Sequence, residues 1–99
     1  MRIRYTRRAE LSIGRLDDWW RAQRRAAPDL FWTELGETVE LLKSSPEMGA
    51  VYKTRKGNQV RRVLLPKSDS HVYFEIDRDA DWIMLLVVWG ARRERGPKL

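Results

Sequence analysis

Apolar and polar residues alternate at the start of the chain and then take up a helical period. In residues 2–6, arginines alternate with apolar or β-branched side chains, as in a short strand with one buried face. Further along, apolar residues recur three, four or seven positions apart, at Ala9, Ile13, Leu16, Trp20 and Ala27. The pattern predicts a first strand followed by an amphipathic helix from about residue 8 to residue 26.

A second helical stripe follows Pro28. Pro28 ends the first helix because proline lacks an N–H donor and disfavours helical geometry in the residue before it, and Asp29 can start the next. The second stripe consists of Phe31, Leu35, Val39 and Leu42, and it stops at Ser44 and Ser45, before Pro46. Because only a few residues join the two helices, we expect them to form an antiparallel hairpin.

After Pro46 the apolar period falls to two, which is typical of strands. We predict strands at residues 51–55, 60–65 and 71–77, with a turn at residues 56–58 between the first two. In the third of these strands, Val72, Phe74 and Ile76 lie on one face and His71, Tyr73 and Glu75 on the other. Residues 82–89 are apolar at every position, so this strand is predicted to be central and covered on both faces.

The predicted order defines an α+β fold: an N-terminal strand, an antiparallel two-helix hairpin, and then an antiparallel sheet meander of up to four strands. Residues 1–93 form a single domain, and residues 94–99 form a flexible tail. Two adjacent helices can shield only one face of a small sheet. Either the sheet curls and the tail folds back over the second face, or a partner chain covers it, by laying a helix in a groove or adding a strand to an edge.

Composition adds a charge and removes several classes of site. The 99 residues include 20 Lys and Arg against 14 Asp and Glu, a formal charge of +6, which predicts an acidic protein partner or a nucleic-acid-containing assembly. A basic surface kept for solubility is the alternative. There is no cysteine, which excludes disulfides and thiolate metal sites, and we expect a cytoplasmic protein. No signal peptide is recognised, and the longest apolar run is too short to span a membrane.

No cofactor or metal site is predicted. Asp77, Asp79 and Asp81 have the alternate spacing of a calcium loop, but the glycine and glutamate that such a loop needs are missing, so we expect a plain turn. A glycine-rich phosphate loop is not found either.

Three segments resemble the ParE/RelE family of type II toxins. They are Val60-Arg61-Arg62-Val63, the strand HVYFEID at residues 71–77, and the ending VVWGARR at residues 87–93. The order of elements over residues 1–93 also matches that family's fold. The resemblance implies a toxin that a cognate antitoxin neutralises, in a hetero-oligomeric complex. Its ParE-like members are associated with poisoning DNA gyrase, and its RelE-like members cut messenger RNA on the ribosome.

The residues after the last strand favour the ParE-like branch. RNA cleavage needs groups that move protons and stabilise the charged phosphorane, and nuclease members of the family usually place a His or Tyr just after the last strand. Here Trp89 is followed by Gly90, and no His or Tyr follows Tyr73. We therefore favour a non-enzymatic toxin that binds DNA gyrase. A RelE-like ribosome-dependent mRNA endonuclease is the alternative, and a non-toxic antitoxin-binding regulatory module is a third reading.

Candidate site residues follow from the strands and from the resemblance. The weak catalytic candidates are His71, Glu75 and Arg61, with His71 and Glu75 as a possible acid–base pair on one face; plain solvated polar residues are the alternative. Target binding is assigned to Arg61, Arg62, Arg92 and Arg93, of which the first two point to opposite faces and the last two leave the final strand at its end. A charged cap that blocks edge pairing is their alternative role. Antitoxin binding is assigned to Trp82, Met84, Leu86 and Trp89.

Overall fold

A computed structural model describes all 99 residues and contains a strand, two helices and four further strands, in that order. The strands are β1 (Arg2–Tyr5), β2 (Ala50–Arg55), β3 (Asn58–Leu65), β4 (Ser70–Asp77) and β5 (Trp82–Gly90); the helices are α1 (Arg7–Gln23) and α2 (Leu30–Ser44). A short 3₁₀ turn, Pro46–Met48, links α2 to β2. The predicted α+β class and element order are confirmed. Helix α1 ends three residues earlier than predicted, where the Arg24 N–H donates to the Trp20 carbonyl.

All five strands form one sheet in the order β1-β5-β4-β3-β2. The four strands from β2 to β5 pair antiparallel as a meander, as predicted. Strand β1, however, pairs parallel with β5, so the sheet is mixed. Strand β5 therefore has a neighbouring strand on each side. The sequence had suggested that β5 is the central strand, but β4 holds the middle position.

The start of α1 is fixed to the part of β5 that extends beyond β1. The Thr6 hydroxyl caps the helix by accepting from the Ala9 N–H at 2.9 Å, and it donates to the Leu86 carbonyl at 2.8 Å. One turn later, the Ser12 hydroxyl accepts from the Val88 N–H at 2.9 Å. The two hydroxyls thus satisfy β5 main-chain groups that β1 is too short to reach, which fixes where the helix crosses the sheet.

Both helices cover the same face of the sheet, here called the helix-covered face. Its largest cluster joins α1 and α2 to β3, β4 and β5 through Ala9, Ile13, Phe31, Leu35, Val39, Leu65, Val72, Leu85 and Val88. A smaller cluster of Leu42, Phe74 and Ile83 continues it. Packing is tight at Gly49, where an added Cβ would lie 2.7 Å from Cζ of Phe74. These apolar stripes are the ones that the helical and strand periods predicted.

A buried carboxylate fastens the helix layer to the turn between β3 and β4. Glu34 of α2 is only 6% exposed. Its carboxylate accepts from the main-chain N–H of Lys67 at 2.7 Å, and from both the N–H and the hydroxyl of Ser68, at 2.8 and 2.7 Å. Since all three donors belong to one turn, Glu34 fixes that turn against α2.

Candidate functional site

The face of the sheet opposite the helices, here called the second face, carries its own apolar cluster. Val60, Tyr73, Leu86 and Val87 are buried together there, although no helix covers them. Tyr52, Met84 and Trp89 pack against the edge of this cluster and are only partly buried. Strand β5 therefore presents apolar side chains to both faces, and the two helices cover only one of them.

A β-bulge interrupts the alternation of side chains along β5. Tyr73 of β4 pairs with Val87, but the next residue, Phe74, pairs with Leu85. Leu86 is left as the extra residue, and a bulge of this kind places two consecutive side chains on one side. Leu86 and Val87 accordingly both lie in the cluster of the second face, while Leu85 and Val88 lie in the helix-covered core. Strand β5 is apolar at every position because both faces carry apolar clusters, and the bulge changes only which residues lie on which face.

One half of the second face is an open groove of about 830 Å³. Apolar and aromatic side chains of β5 form its floor, namely Trp82, Met84 and Leu86. Arg4 and Arg55 lie along its sides, and Arg55 is paired with Glu75 at 2.7 Å. The groove thus combines an apolar floor with charged walls.

Two arginines stack on one indole at the β1 end of the groove. The guanidinium carbons of Arg4 and Arg2 lie 3.5 and 4.2 Å from the ring centroid of Trp82. They face the same strand partner because β1 and β5 are parallel and in register, with Arg2 beside Trp82 and Arg4 beside Met84. Neither arginine is in an ion pair, whereas Glu75 and Glu47 are each paired with an arginine. This end of the groove therefore carries two arginines without an ion-pair partner, and Asp77 and Asp79 also line the groove.

The other half of the second face is covered by the chain itself. Residues 95–99, here called the strap, run back over the sheet after a turn that follows β5. Pro97 is buried, and Leu99 packs against the cluster of the second face. Three side chains hold main-chain oxygens of the strap: Trp89 binds Arg95, Arg8 binds Lys98 and Lys53 binds Leu99, at donor–acceptor distances of 2.8, 2.5 and 3.3 Å.

Residues 94–99 were predicted to be a flexible tail, and the structure places the last five of them against the sheet. Leu99 and Pro97 supply the apolar surface, which explains why a short polar-looking ending can lie on a cluster of apolar side chains. The alternative in which the tail folds back over the second face thus describes this half of the face. Flexibility of the segment stays a prediction, because a packed position does not measure how often the strap detaches.

The four residues assigned to antitoxin binding lie on one face. Trp82, Met84 and Leu86 line the groove, and Trp89 donates its indole N–H to the strap. The bulge brings Trp89 back to the same side as Leu86, which a regular strand would not have done. Their role in binding stays a prediction.

The four arginines assigned to target binding do not form one patch. Arg61 lies on the side of Phe74, its partner in register, and donates to the Gly49 carbonyl at 2.7 Å. Arg62 points to the second face, where it donates to the Tyr73 hydroxyl at 3.3 Å and lies 5.0 Å from the Tyr52 ring centroid. The prediction that these two point to opposite faces is supported by these contacts.

Arg92 and Arg93 lie in the turn after β5. Arg92 is paired with Asp69 while its side chain stays exposed, and Arg93 stacks on Trp89 at 4.0 Å from the ring centroid. Trp89 also donates to the carbonyl of Arg95, so Arg93 lies next to the first residue of the strap. Arg62, Arg93 and the strap therefore share the second face, whereas Arg61 does not.

The weak catalytic candidates are separated. His71 and Glu75 share the second face but stand four residues apart on β4, roughly 13 Å along the strand. Glu75 is engaged by Arg55, and the Arg61 guanidinium is held on the opposite side of the sheet. The suggested acid–base pair is not formed, because the residues share a strand face without being neighbours.

His71 lies beside aromatic and basic side chains on the second face. Its ring centroid is 6.0 Å from that of Tyr73, at an interplanar angle of 67°, and its neighbour in register on β5 is Trp89. Partial burial lowers the pKa of His71 below its usual value, and the nearby Arg62 guanidinium lowers it further, against a smaller opposite effect of Asp69. The imidazole is thereby held neutral to lower pH than a solvated histidine.

Sequence reasoning missed two features, Glu34 and the Arg2 and Arg4 pair on Trp82, and it offered the folded-back tail only as one of two alternatives. Glu34 lies on the buried stripe of α2, three residues after Phe31, but a glutamate there does not reveal which donors it binds. The arginine pair depends on the unforeseen parallel pairing of β1. The sequence shows that Arg2 and Arg4 alternate with apolar residues, but it does not show that both stack on Trp82.

No group of three or more His, Cys, Asp or Glu side chains is placed so that it could hold a metal ion. Neither helix is both long and apolar enough to cross a bilayer.

Comparison with known proteins gives one family match. A family model described as the ParE toxin of type II toxin-antitoxin system, parDE, matches residues 3–95. No curated protein matches the chain significantly. The matched range begins at the second residue of β1 and ends at the first residue of the strap, so it contains all the site residues predicted from the sequence but not Arg2.

Proposed function

This chain belongs to the ParE family of type II toxins, and we propose that it arrests growth by binding DNA gyrase until a cognate antitoxin neutralises it. The observation that carries the antitoxin half of the proposal is the open groove, whose apolar floor of Trp82, Met84 and Leu86 no element of the chain covers. A stable apolar groove of this size on a small domain is typical of a partner site.

The chemistry of the groove defines the antitoxin segment that would fit it. Its floor would take apolar side chains, and Arg2 and Arg4 at its end would take a carboxylate, since no acidic residue of the chain is paired with them. An extended or helical segment with an apolar face and an acidic end has these properties.

Gyrase is favoured over the ribosome because the candidate groups for RNA cleavage do not meet. A phosphodiester-cleaving site needs a base, an acid and a cation around one phosphate, whereas Glu75 and Arg61 have other partners. The exposed Arg92 and Arg93 at the end of β5 are the groups that we assign to gyrase. They would bind it through carboxylates or through the DNA phosphates that it holds.

The target is tested with purified toxin and gyrase in a DNA supercoiling assay. We expect inhibition with accumulation of cleaved DNA, and we expect the double variant Arg92→Ala with Arg93→Ala to lose most of it. The matched control removes the same kind of charge at the exposed Arg24 and Arg25, between the helices, and should inhibit normally. Unaffected supercoiling together with cutting of messenger RNA on translating ribosomes would instead establish the nuclease reading.

The antitoxin site is tested with the product of the reading frame beside the gene. We expect Met84→Glu to abolish complex formation, because it removes apolar surface from the groove floor and places a carboxylate beside Arg4, which would then no longer be available to the antitoxin. The control Leu41→Glu changes an equally apolar residue that is exposed on α2, and it should leave binding intact. If Met84→Glu binds normally and Leu41→Glu does not, the antitoxin lies on the helices and the groove assignment is wrong.

A further inference from the structure

The strap and the groove are parts of one continuous surface. Met84 and Leu86 line the open groove, and both also pack in the cluster that Leu99 covers. A partner that fills the groove and extends along β5 would therefore reach the position of the strap. The chain and its partner would then compete for the same apolar side chains.

The strap is held in a way that allows release. No main-chain hydrogen bond joins residues 95–99 to any strand, so the strap is not a sixth strand of the sheet. Its oxygens accept only from the ends of Trp89, Arg8 and Lys53. Two of these donors are long and flexible and can turn to water or to another acceptor without strain.

The seat beneath the strap is built for an apolar segment. Tyr73, Val60 and Val87 are at most 1% exposed, and they would be uncovered if the strap left. Such a surface is not stable in water unless something replaces the strap. The strap itself shows what fits: apolar residues two positions apart, Pro97 and Leu99, with main-chain oxygens turned to the surrounding donors.

We propose that the strap is an internal competitor of the antitoxin, seated on the second face of the free toxin and displaced when the antitoxin binds. This inference rests on the proposed function, since it takes the groove as the antitoxin site. The displacing segment is an apolar stretch of the antitoxin. Its carbonyl groups accept the hydrogen bonds that Trp89, Arg8 and Lys53 donate to the strap in the free toxin. The apparent affinity of the antitoxin is then reduced by the fraction of toxin in which the strap is closed.

The sharpest test adds one methyl group to the strap. A Cβ at Gly96 would overlap the Tyr52 hydroxyl, so that either the strap or the Tyr52 ring must shift in Gly96→Ala. We expect this variant to loosen the strap while the groove and its donors remain. The matched control is Gly36→Ala in α2, where an added Cβ meets no atom within 4 Å. A chain ending at Glu94 removes the competitor completely. Loosening is verified by the indole N–H signal of Trp89 in NMR, which should shift in Gly96→Ala and stay in place in Gly36→Ala.

Affinity for the product of the adjacent reading frame decides the proposal. We expect Gly96→Ala and the shortened chain to bind it about tenfold more tightly than the full chain, as expected when a closed state populated to about nine-tenths is removed. Equal or weaker binding of Gly96→Ala, with its Trp89 signal shifted, would overturn the inference. If the shortened chain aggregates, Gly96→Ala alone decides.

The two proposals fail in different ways. If Met84→Glu still binds the antitoxin normally, the groove is not the site and the proposed function falls. If Met84→Glu loses binding but loosening the strap does not tighten it, the groove assignment stands and only the competition is wrong.

Discussion

The two faces of the sheet are both apolar, but they are covered by different means. On the helix-covered face, α1 and α2 bury twelve residues in two adjoining clusters. On the second face only four residues form a buried cluster, and a strap without main-chain hydrogen bonds to the strands lies over one half of it. Apolar sequence alone therefore does not reveal which surface stabilises the fold and which one is available to a partner.

The difference has a physical basis in how each cover is attached. The helices are joined to the sheet by a buried polar contact of Glu34 with the β3–β4 turn and by a partly buried one of Ser12 with β5. The strap is joined by side-chain ends at the surface. The helix layer detaches only when the domain unfolds, whereas the strap can detach locally.

The largest effect is expected on the helix-covered face. Phe74 is fully buried there, and Phe74→Ala should lower the free energy of unfolding by about 3–5 kcal/mol, as truncation of a core phenylalanine usually does. Urea denaturation followed by circular dichroism would measure it. A loss below about 1 kcal/mol would mean that this cluster is not the stabilising core.

An intermediate effect is expected at the buried carboxylate. Glu34→Ala leaves the N–H groups of Lys67 and Ser68 without their acceptor, and should lower the free energy of unfolding by about 2 kcal/mol. Glu34→Gln keeps an acceptor oxygen and should lose less. Equal losses in both variants would show that charge, and not the acceptor geometry, fixes the turn.

Much of the fold could be predicted from the sequence because its signals are local. The stripes at Phe31, Leu35 and Val39 and the alternation at Val72 and Phe74 do define elements of the structure. Helix α1 ended early, since the cap at Arg24 depends on chain geometry and not on the apolar stripe that ran on to Ala27. The parallel pairing of β1 with β5 could not be predicted, because it joins residues about 80 positions apart.

The site was less predictable because it depends on contacts between distant segments. Trp82, Met84, Leu86 and Trp89 were chosen as apolar residues of one strand, and only the bulge at Leu86 explains why all four share a face. Arg61 and Arg62 were correctly expected to point apart. The folded-back tail was only one of two alternatives, because Gly96, Pro97 and Lys98 look like a solvated ending and the residues beneath them lie far away in the sequence.

A smaller effect is expected on the second face. Leu99→Ala removes apolar contacts with the cluster beneath the strap, and because Leu99 is only partly buried, the loss in free energy of unfolding should be about 1 kcal/mol. The same urea experiment measures it. A loss as large as that of Phe74→Ala would remove the contrast between the two faces, since the strap would then be a structural element and not a releasable cover.

The smallest effect is expected from the titration of His71, also on the second face. Because partial burial and Arg62 lower its pKa in the folded protein, the unfolded chain binds a proton at higher pH than the folded one. The contribution of His71 to stability is therefore fully present above a pH of about 6.5 and is lost as the pH falls through the lower folded pKa. NMR titration of the imidazole should show the lowered pKa, and Arg62→Gln should raise it. The variant His71→Gln should weaken the pH dependence of the melting temperature between pH 5 and 7. An unchanged dependence would mean that the neutral and charged forms of His71 stabilise the folded protein equally.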